Sequence, residues 1–388
     1  LSRHNIRAPL SGPTSMLGKV TTHKWTDWTS NPSELTLRGG QLETIMGQYF
    51  RKWLESEKLF KEGECPNADE VNIYANSMQR TIATANYFKT GFFPTCDMLI
   101  NHRFTPSKMD PIFFPRLTKM SDSFKVEAMK ELNAMGGKNG VTGWTETLKP
   151  SFTLFERMLD MKDSPACKED NICGLNDYDT QLIFKLGNEP NLSGSLKLAN
   201  TISDALILQY FEVSDDKEAA FGQNLTQKDW ENVARVKDVY GDILFSAPIV
   251  AVNVAHPLLV YLKDELNAKD RKLTYLVGHD SNICSVNSAL EVEEYSLENT
   301  IEKKTPIGSK LIFEKWVDKA TGKEFVSVNL MYQSTEQLRQ VQALGLNNPP
   351  MVKQLRLKGL NANDLGLYDF SSIDQRFDKA IRAYEEIK

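Results

Sequence analysis

"KLTYLVGHDSN" (residues 272–282) holds a short apolar run, Leu273, Tyr275, Leu276 and Val277, closed by Gly278 and followed at once by His279 and Asp280. So short a run, ended by a glycine, reads as a strand buried on both faces, the kind found in parallel sheets. Such a sheet carries helices on both sides, and ligands meet it beyond the carboxyl ends of its strands. The strand therefore delivers a histidine and an aspartate to the place where chemistry is expected. Alone the pair is weak evidence, because polar residues after a strand often only cap a helix.

The flanking segments agree with an α/β reading. Within residues 35–60, apolar residues recur at Leu42, Ile45, Met46, Tyr49, Phe50, Trp53 and Leu54, the spacing of an amphipathic helix. "VNIYANS" (71–77) reads as a buried strand whose Asn76 or Ser77 caps a helix over 78–90, with Arg80 in its first turn. Strands are expected at 309–318 and 324–333, with Thr321 and Gly322 in the turn between them, and a helix at 371–388. A helix beginning at Pro248 is expected to bend or break at Pro257. Residues 116–240 differ in texture: helical stretches around 122–135, 151–162, 195–212 and 227–239 alternate with Gly-, Asn- and Asp-rich loops, and strand signals are scarce. The expected organisation is an open α/β sheet domain formed by 1–115 and 241–388, with 116–240 as a smaller, mainly helical insertion over a substrate cleft.

Composition narrows the function. The chain has 388 residues, 41% of them hydrophobic and 25% charged, with a net charge of −5. That is globular composition. Without a basic stripe or tail, nucleic acid is an unlikely partner class. No apolar run has the length that spans a bilayer. Of five cysteines, Cys65, Cys96, Cys167 and Cys173 lie in polar loops, which suggests two disulfides and an oxidising compartment, while Cys284 sits among apolar and small residues and reads as a buried free thiol. No CxxC or Cys/His spacing supports a metal, and no cofactor is expected.

Near the first residue stands "SRHNIRAP" (2–9), with His4 between Arg3 and Arg7. Both arginines offer planar, permanently charged donor forks that fit phosphate oxygens. Cations around His4 disfavour its protonation, and a neutral imidazole is a nucleophile. Arg80, near a helix N-terminus, adds a third fork. His279 can donate to the same phosphate, and Asp280 can protonate a leaving oxygen and later activate water. That first role leads us to expect an environment that raises the pKa of Asp280. His23, His102 and His256 have no such company in the sequence.

RHxxRxP near the start and His-Asp after a late strand resemble the histidine acid phosphatase family (branch 2). The resemblance extends to "ELTLRGG" (34–40), "YANSMQRT" (74–81), "MDPIF" (109–113) and "TPIGSKLIFEKW" (305–316), nearly the whole chain. It implies a phosphoglycerate mutase-like α/β domain with a smaller α domain and metal-free hydrolysis of phosphate monoesters. It also implies His4 as nucleophile, Arg3, Arg7, Arg80 and His279 on the phosphate, and Asp280 as proton donor. Most members have glycine after the histidine; Asn5 here is similar to the periplasmic branch that acts on glucose 1-phosphate. The expected substrate is therefore a small sugar phosphate, with a broad acid phosphatase, a phytase or a non-catalytic phosphosugar binder as alternatives. The segment "LSGPTSMLG" (10–18) carries no cation, so Leu10 is expected at the rim, joined by Glu189 on the resemblance, both setting specificity together with Asn5. Expected disulfides are Cys65–Cys96 and Cys167–Cys173. The family branch has a further cysteine pair where this chain has Gly359 and Leu365, so a looser C-terminal segment is expected. A monomer or homodimer in the periplasm, with its leader outside the sequence, completes the expectation.

Overall fold

Strand β1 is only Ser2–Arg3, yet it occupies the middle of the sheet. The computed structural model describes residues 1–12, 14–136, 139–175 and 180–388. Among them, β2 (Val71–Ala75), β5 (Leu273–Gly278), β6 (Lys310–Val317), β7 (Glu324–Tyr332), β8 (Met351–Gln354) and β9 (Tyr368–Asp369) join β1 in one sheet. The order is β2-β5-β1-β6-β7-β8, with β9 also paired to β7. β2, β5 and β1 run parallel, and β6, β7, β8 and β9 extend the sheet with antiparallel pairings. β3 (Gln181–Ile183) and β4 (Asn191–Ser193) form a separate small hairpin, strands that the composition of 116–240 did not signal.

Alternation along the central strands explains why both faces are covered. Ile73 and Ala75 of β2, with Tyr275 and Val277 of β5, join an apolar cluster with Phe50 and Phe88 from helices Leu37–Ser56 and Gln79–Phe92. Tyr74 and Leu276 point the other way, into a cluster with Leu258, Ile283 and Phe377 from helices Pro248–Asn267, Asp280–Ala289 and Phe370–Glu385. A period of two thus places successive side chains against opposite helical layers. Phe88 stacks on Tyr275 with centroids 3.9 Å apart, and both are buried.

The second cluster continues without a break into the helical segment through Phe152, Phe155, Leu206, Phe211 and Trp230. That segment includes helices Asp122–Met135, Lys149–Met158 and Ser195–Glu212; helix Gln227–Phe245 runs on past residue 240.

Two local expectations are corrected. Helix Pro248–Asn267 does not break at Pro257, because packing against Asp280–Ala289 and Phe370–Glu385 outweighs one missing N–H. Met78, not Asn76 or Ser77, is the N-cap of Gln79–Phe92, since Asn76 is drawn into tertiary bonds described below. The structure contains disulfides Cys65–Cys96 and Cys167–Cys173, with Cys284 free, as in a secreted protein. The segment around Gly359 is tied down by Arg376, which donates to the carbonyls of Leu290 and Lys358 at 3.0 and 2.7 Å.

Candidate active site

Register brings the two histidines together. Ser2 pairs with Val277 and Arg3 with Gly278, so β1 and β5 end side by side. The next residue of each strand is a histidine: the His4 N–H donates to the Gly278 carbonyl at 3.1 Å, and the two rings lie 5.5 Å apart, edge to face.

The loop after β1 is held by close backbone approach. Thr36 donates its N–H to the Ile6 carbonyl at 2.9 Å, and a side chain at Gly39 would meet that same oxygen at 2.2 Å. Only glycine lets helix Leu37–Ser56 start this close to the loop, which accounts for "LRGG". Gly308, at φ +67°, makes similar room for Asn5.

His4 is buried, and its Nδ1 lies 2.8 Å from the Asn5 carbonyl. A carbonyl only accepts, so Nδ1 carries the proton and Nε2 keeps its lone pair. Burial first, then Arg80, Arg7, His279 and Arg3, hold the imidazole well below its ordinary range. His279 is lowered as well, by burial and then Arg80, with Asp280 acting in opposition. Its Nε2 lies 2.7 Å from the Asn76 amide nitrogen. Asn76 Oδ1 is already taken by the Asp110 N–H at 2.9 Å, so the amide presents its NH₂ and the His279 Nε2 accepts. Asp110 is itself bonded by the Tyr74 hydroxyl. This is what "YAN" and "MDP" do structurally.

The three arginines surround His4, each with its Nε buried and without a hydrogen-bond partner among the described residues. Arg3 Nη1 donates to Glu302 and to the Thr305 carbonyl, both at 2.6 Å. Arg7 Nη2 donates to Asp204 at 2.9 Å. Among the described residues Arg80 donates to the Ser33 hydroxyl, at 3.4 Å. Its guanidinium is lowered to about 10, by burial and then by Arg7, against Asp280, Asp204 and Glu189. Buried unpaired donors are costly, and three around one imidazole form a cradle for an anion.

Asp280, whose side chain is 29% exposed, opens helix Asp280–Ala289. Its Oδ2 takes Lys237 Nζ at 2.7 Å and lies 3.9 Å from Arg3 Nε; its Oδ1 accepts the Ser281 N–H at 3.0 Å. Burial would raise this carboxyl, but Lys237 and Arg3 outweigh it and hold it well below the carboxylate range. The expected upward shift of Asp280 is thus corrected. Its cause is Lys237, from a helix whose "RVKDVY" gave no warning. Lys237 also pairs with Asp204 at 3.1 Å.

Asn5 does not sit at the rim. Its side chain is fully buried, donating to Glu43 at 2.8 Å and accepting from the Ile6 N–H at 2.9 Å. Glu43 in turn takes Lys310 at 2.9 Å and the Tyr275 hydroxyl at 2.6 Å. Leu10 is 60% exposed; Pro13 of its segment lies outside the described residues. Glu189 is exposed, yet its carboxyl is raised, first by partial withdrawal from water and then by Asp280, against Lys197 and Arg80. That puts it in electrostatic reach of the site. His23 pairs with Asp160, His102 bonds the Phe104 carbonyl and His256 stacks on Tyr384; none joins the site.

The sequence reading missed Asp204, Lys237, Glu302 and Glu43. Asp204 left one trace, a lone carboxylate inside the apolar run "TISDALILQYF". Among the described residues no group of three or more His, Cys, Asp or Glu is placed to hold a metal. A 960 Å³ cavity bordered by Arg38, Tyr210 and Arg339 contains neither histidine.

Comparison with known proteins agrees with this geometry. The family model described as histidine phosphatase superfamily (branch 2) matches residues 1–333. A glucose-1-phosphatase from Providencia rettgeri is 39% identical over 386 residues, 98% of this chain and 90% of that protein. One from Salmonella typhimurium is 38% identical, over 98% and 91%. Among solved structures, a phytase from Citrobacter braakii superposes with a TM-score of 0.88 at 26% identity, covering 98% of this chain and 96% of its own.

Proposed function

The chain belongs to the histidine phosphatase superfamily, branch 2, and on that basis we propose that it hydrolyses small sugar phosphates, chiefly glucose 1-phosphate, through a phosphohistidine on His4. One observation carries the reading: three guanidinium groups, each with a buried Nε that has no hydrogen-bond partner among the described residues, around an imidazole whose Nε2 keeps its lone pair. Arg3, Arg7 and Arg80 hold the phosphoryl oxygens, and His279 donates from its protonated Nδ1. Nε2 of His4 attacks phosphorus, the arginines stabilise the equatorial oxygens, and Asp280 protonates the departing alcohol. Water then attacks the phosphohistidine as Asp280 takes its proton. Residues 116–240 act as the helical wall of the cleft, and Glu189 faces the sugar.

Preference for glucose 1-phosphate over inositol hexakisphosphate rests on two supports. The glucose-1-phosphatases are nearer in sequence, at 38–39% identity, than the phytase structure at 26%. Glu189, its carboxyl raised to about 7, adds a group that exchanges hydrogen bonds with sugar hydroxyls and offers no cation to additional phosphates. The two disulfides support a periplasmic location.

The test compares kcat/KM for glucose 1-phosphate and inositol hexakisphosphate in the parent and in Glu189→Ala. We expect the parent to favour glucose 1-phosphate and the variant to lose part of that preference. A parent that favours the hexakisphosphate overturns the substrate reading. Capture of an alkali-stable, acid-labile phosphoenzyme separates hydrolysis from phosphosugar binding, because a binder carries no covalent phosphate.

A further inference from the structure

We propose that Lys237 is a positioning residue that keeps Asp280 ionised before substrate binds, so that the proton given to the leaving alcohol enters with the substrate, as the phosphate monoester monoanion. This deepens the reading above and rests on its assignment of His4 and Asp280.

Three donors around Asp280 favour its anion. Oδ2 holds Lys237 Nζ at 2.7 Å, Oδ1 holds the Ser281 N–H at 3.0 Å, and Arg3 Nε stands at 3.9 Å. Lys237 is anchored to Asp204 at 3.1 Å, and Asp204 also holds Arg7 at 2.9 Å. One buried aspartate thus ties the proton donor's counter-ion to a phosphate-cradle arginine. The charged and titratable groups facing Asp280 are Arg3, His4 and Arg7 from the first strand and its loop, and Arg80 from helix Gln79–Phe92. Lys237 comes from helix Gln227–Phe245, Asp204 from helix Ser195–Glu212 and Glu189 from the loop before β4, with His279 and Cys284 beside Asp280 itself. Both histidines are neutral there, and Cys284 is kept as the thiol by burial. Cations therefore dominate the site before substrate binds, and a carboxylic acid there has little reason to keep its proton.

A phosphate monoester loses its second proton near about pH 6, so in acid medium it arrives as the monoanion. The arginine cradle favours the dianion. Docking brings two negative charges beside Asp280 and raises its affinity for a proton. The phosphate O–H bond then breaks and an Asp280 O–H bond forms. In the next step the bond from His4 Nε2 to phosphorus forms, the ester P–O bond breaks, and the Asp280 proton goes to the alcohol oxygen. Asp280 is again a carboxylate facing Lys237. Attack by water forms a new P–O bond and breaks P–N, while the water proton passes through Asp280 to the product. Monoester monoanion and water leave as alcohol and dihydrogen phosphate, with no proton gained or lost.

Under this scheme the alkaline limb of kcat/KM belongs to the substrate and not to Asp280. The experiment measures that limb for glucose 1-phosphate and for its 2-fluoro analogue, whose phosphate ionises at lower pH, with each second ionisation read by ³¹P titration. We expect the limb to move with the ester; a limb at one pH for both esters overturns the proposal. Titration of the Asp280 carboxyl by ¹³C NMR, assigned with Asp280→Asn, tests Lys237 directly. In Lys237→Met we expect the titration to move up by about one pH unit or more, and in Lys237→Arg to return toward the parent. No movement in Lys237→Met removes Lys237 from the role. If Lys237→Met does not fold, the two-ester comparison on the parent still decides. Phosphoenzyme capture distinguishes the two levels: no phosphoenzyme sinks the hydrolytic reading and this one with it, whereas phosphoenzyme with an ester-independent limb sinks only this one.

Discussion

The Nδ1 nitrogen of His4 lies 2.8 Å from the backbone oxygen of Asn5, the residue that follows it. That contact sets the tautomer and leaves Nε2 as the nucleophile. Asn5 is anchored in turn through its side chain to Glu43 at 2.8 Å. The unusual residue in the motif therefore acts toward the interior, steadying the peptide on which the histidine leans.

Replacing His4 with alanine should lower turnover by about four orders of magnitude or more, since a nucleophile is not replaced by its neighbours. The fold should survive, because among the described residues the imidazole's hydrogen bond is to its own loop. A phosphate-release assay beside a thermal melt checks both halves. A folded variant with substantial turnover would take the nucleophile's role from His4.

Asp280→Asn should reduce turnover of glucose 1-phosphate by about 10²–10⁴-fold, the usual worth of a positioned proton donor. An aryl phosphate, whose leaving group needs little protonation, should lose much less in its first step. Equal losses for both esters would point to the water step, or to a structural role.

Lys310 and Glu43 form an ion pair buried to 2% and 0% exposure beneath the nucleophile loop. Removing one partner strands a buried charge, so Lys310→Met should cost about 3–5 kcal/mol, while the double variant Lys310→Met/Glu43→Gln should cost less than the sum of the singles. Urea unfolding of the four proteins measures the coupling. Additive costs would show that the two side chains do not sense each other.

His4 and His279 should each withdraw stability as pH drops below about 6.5, the ordinary value for histidine, against Glu189 and Asp238, whose raised carboxyls act in the opposite direction. The folded protein holds His4 and His279 neutral, whereas the unfolded chain protonates them. At these two sites the unfolded state thus binds more protons, so their contribution to stability rises with pH through that window, by at most about 1.4 kcal/mol per unit for each histidine. Asp204 and Asp280, held low in the fold, add a further loss only below their ordinary range. Urea midpoints between pH 7 and 5, compared in the parent and in His4→Ala, isolate the His4 contribution: the parent should lose more stability than the variant as pH falls. The same pH dependence in both would mean that the His4 imidazole is charged in the fold.

The sheet was legible from local pattern. A short apolar run closed by Gly278, the alternation in β2 and the 3.6-residue spacing of helix Leu37–Ser56 are consequences of backbone geometry, and they are written within a few residues. So is the spacing of Arg3, His4 and Arg7, because one turn of chain carries all three. Tertiary structure decided what those residues lean on. Glu302 meets Arg3 across 299 positions, Asp204 meets Arg7 across 197, and Glu43 meets Lys310 across 267. No periodicity records such pairs, because two charges are brought together by the packing of separate elements and not by the repeat of either one. The charge state of Asp280 belongs to the same class. The strand places the carboxylate, but only the helix carrying Lys237 determines whether it holds a proton.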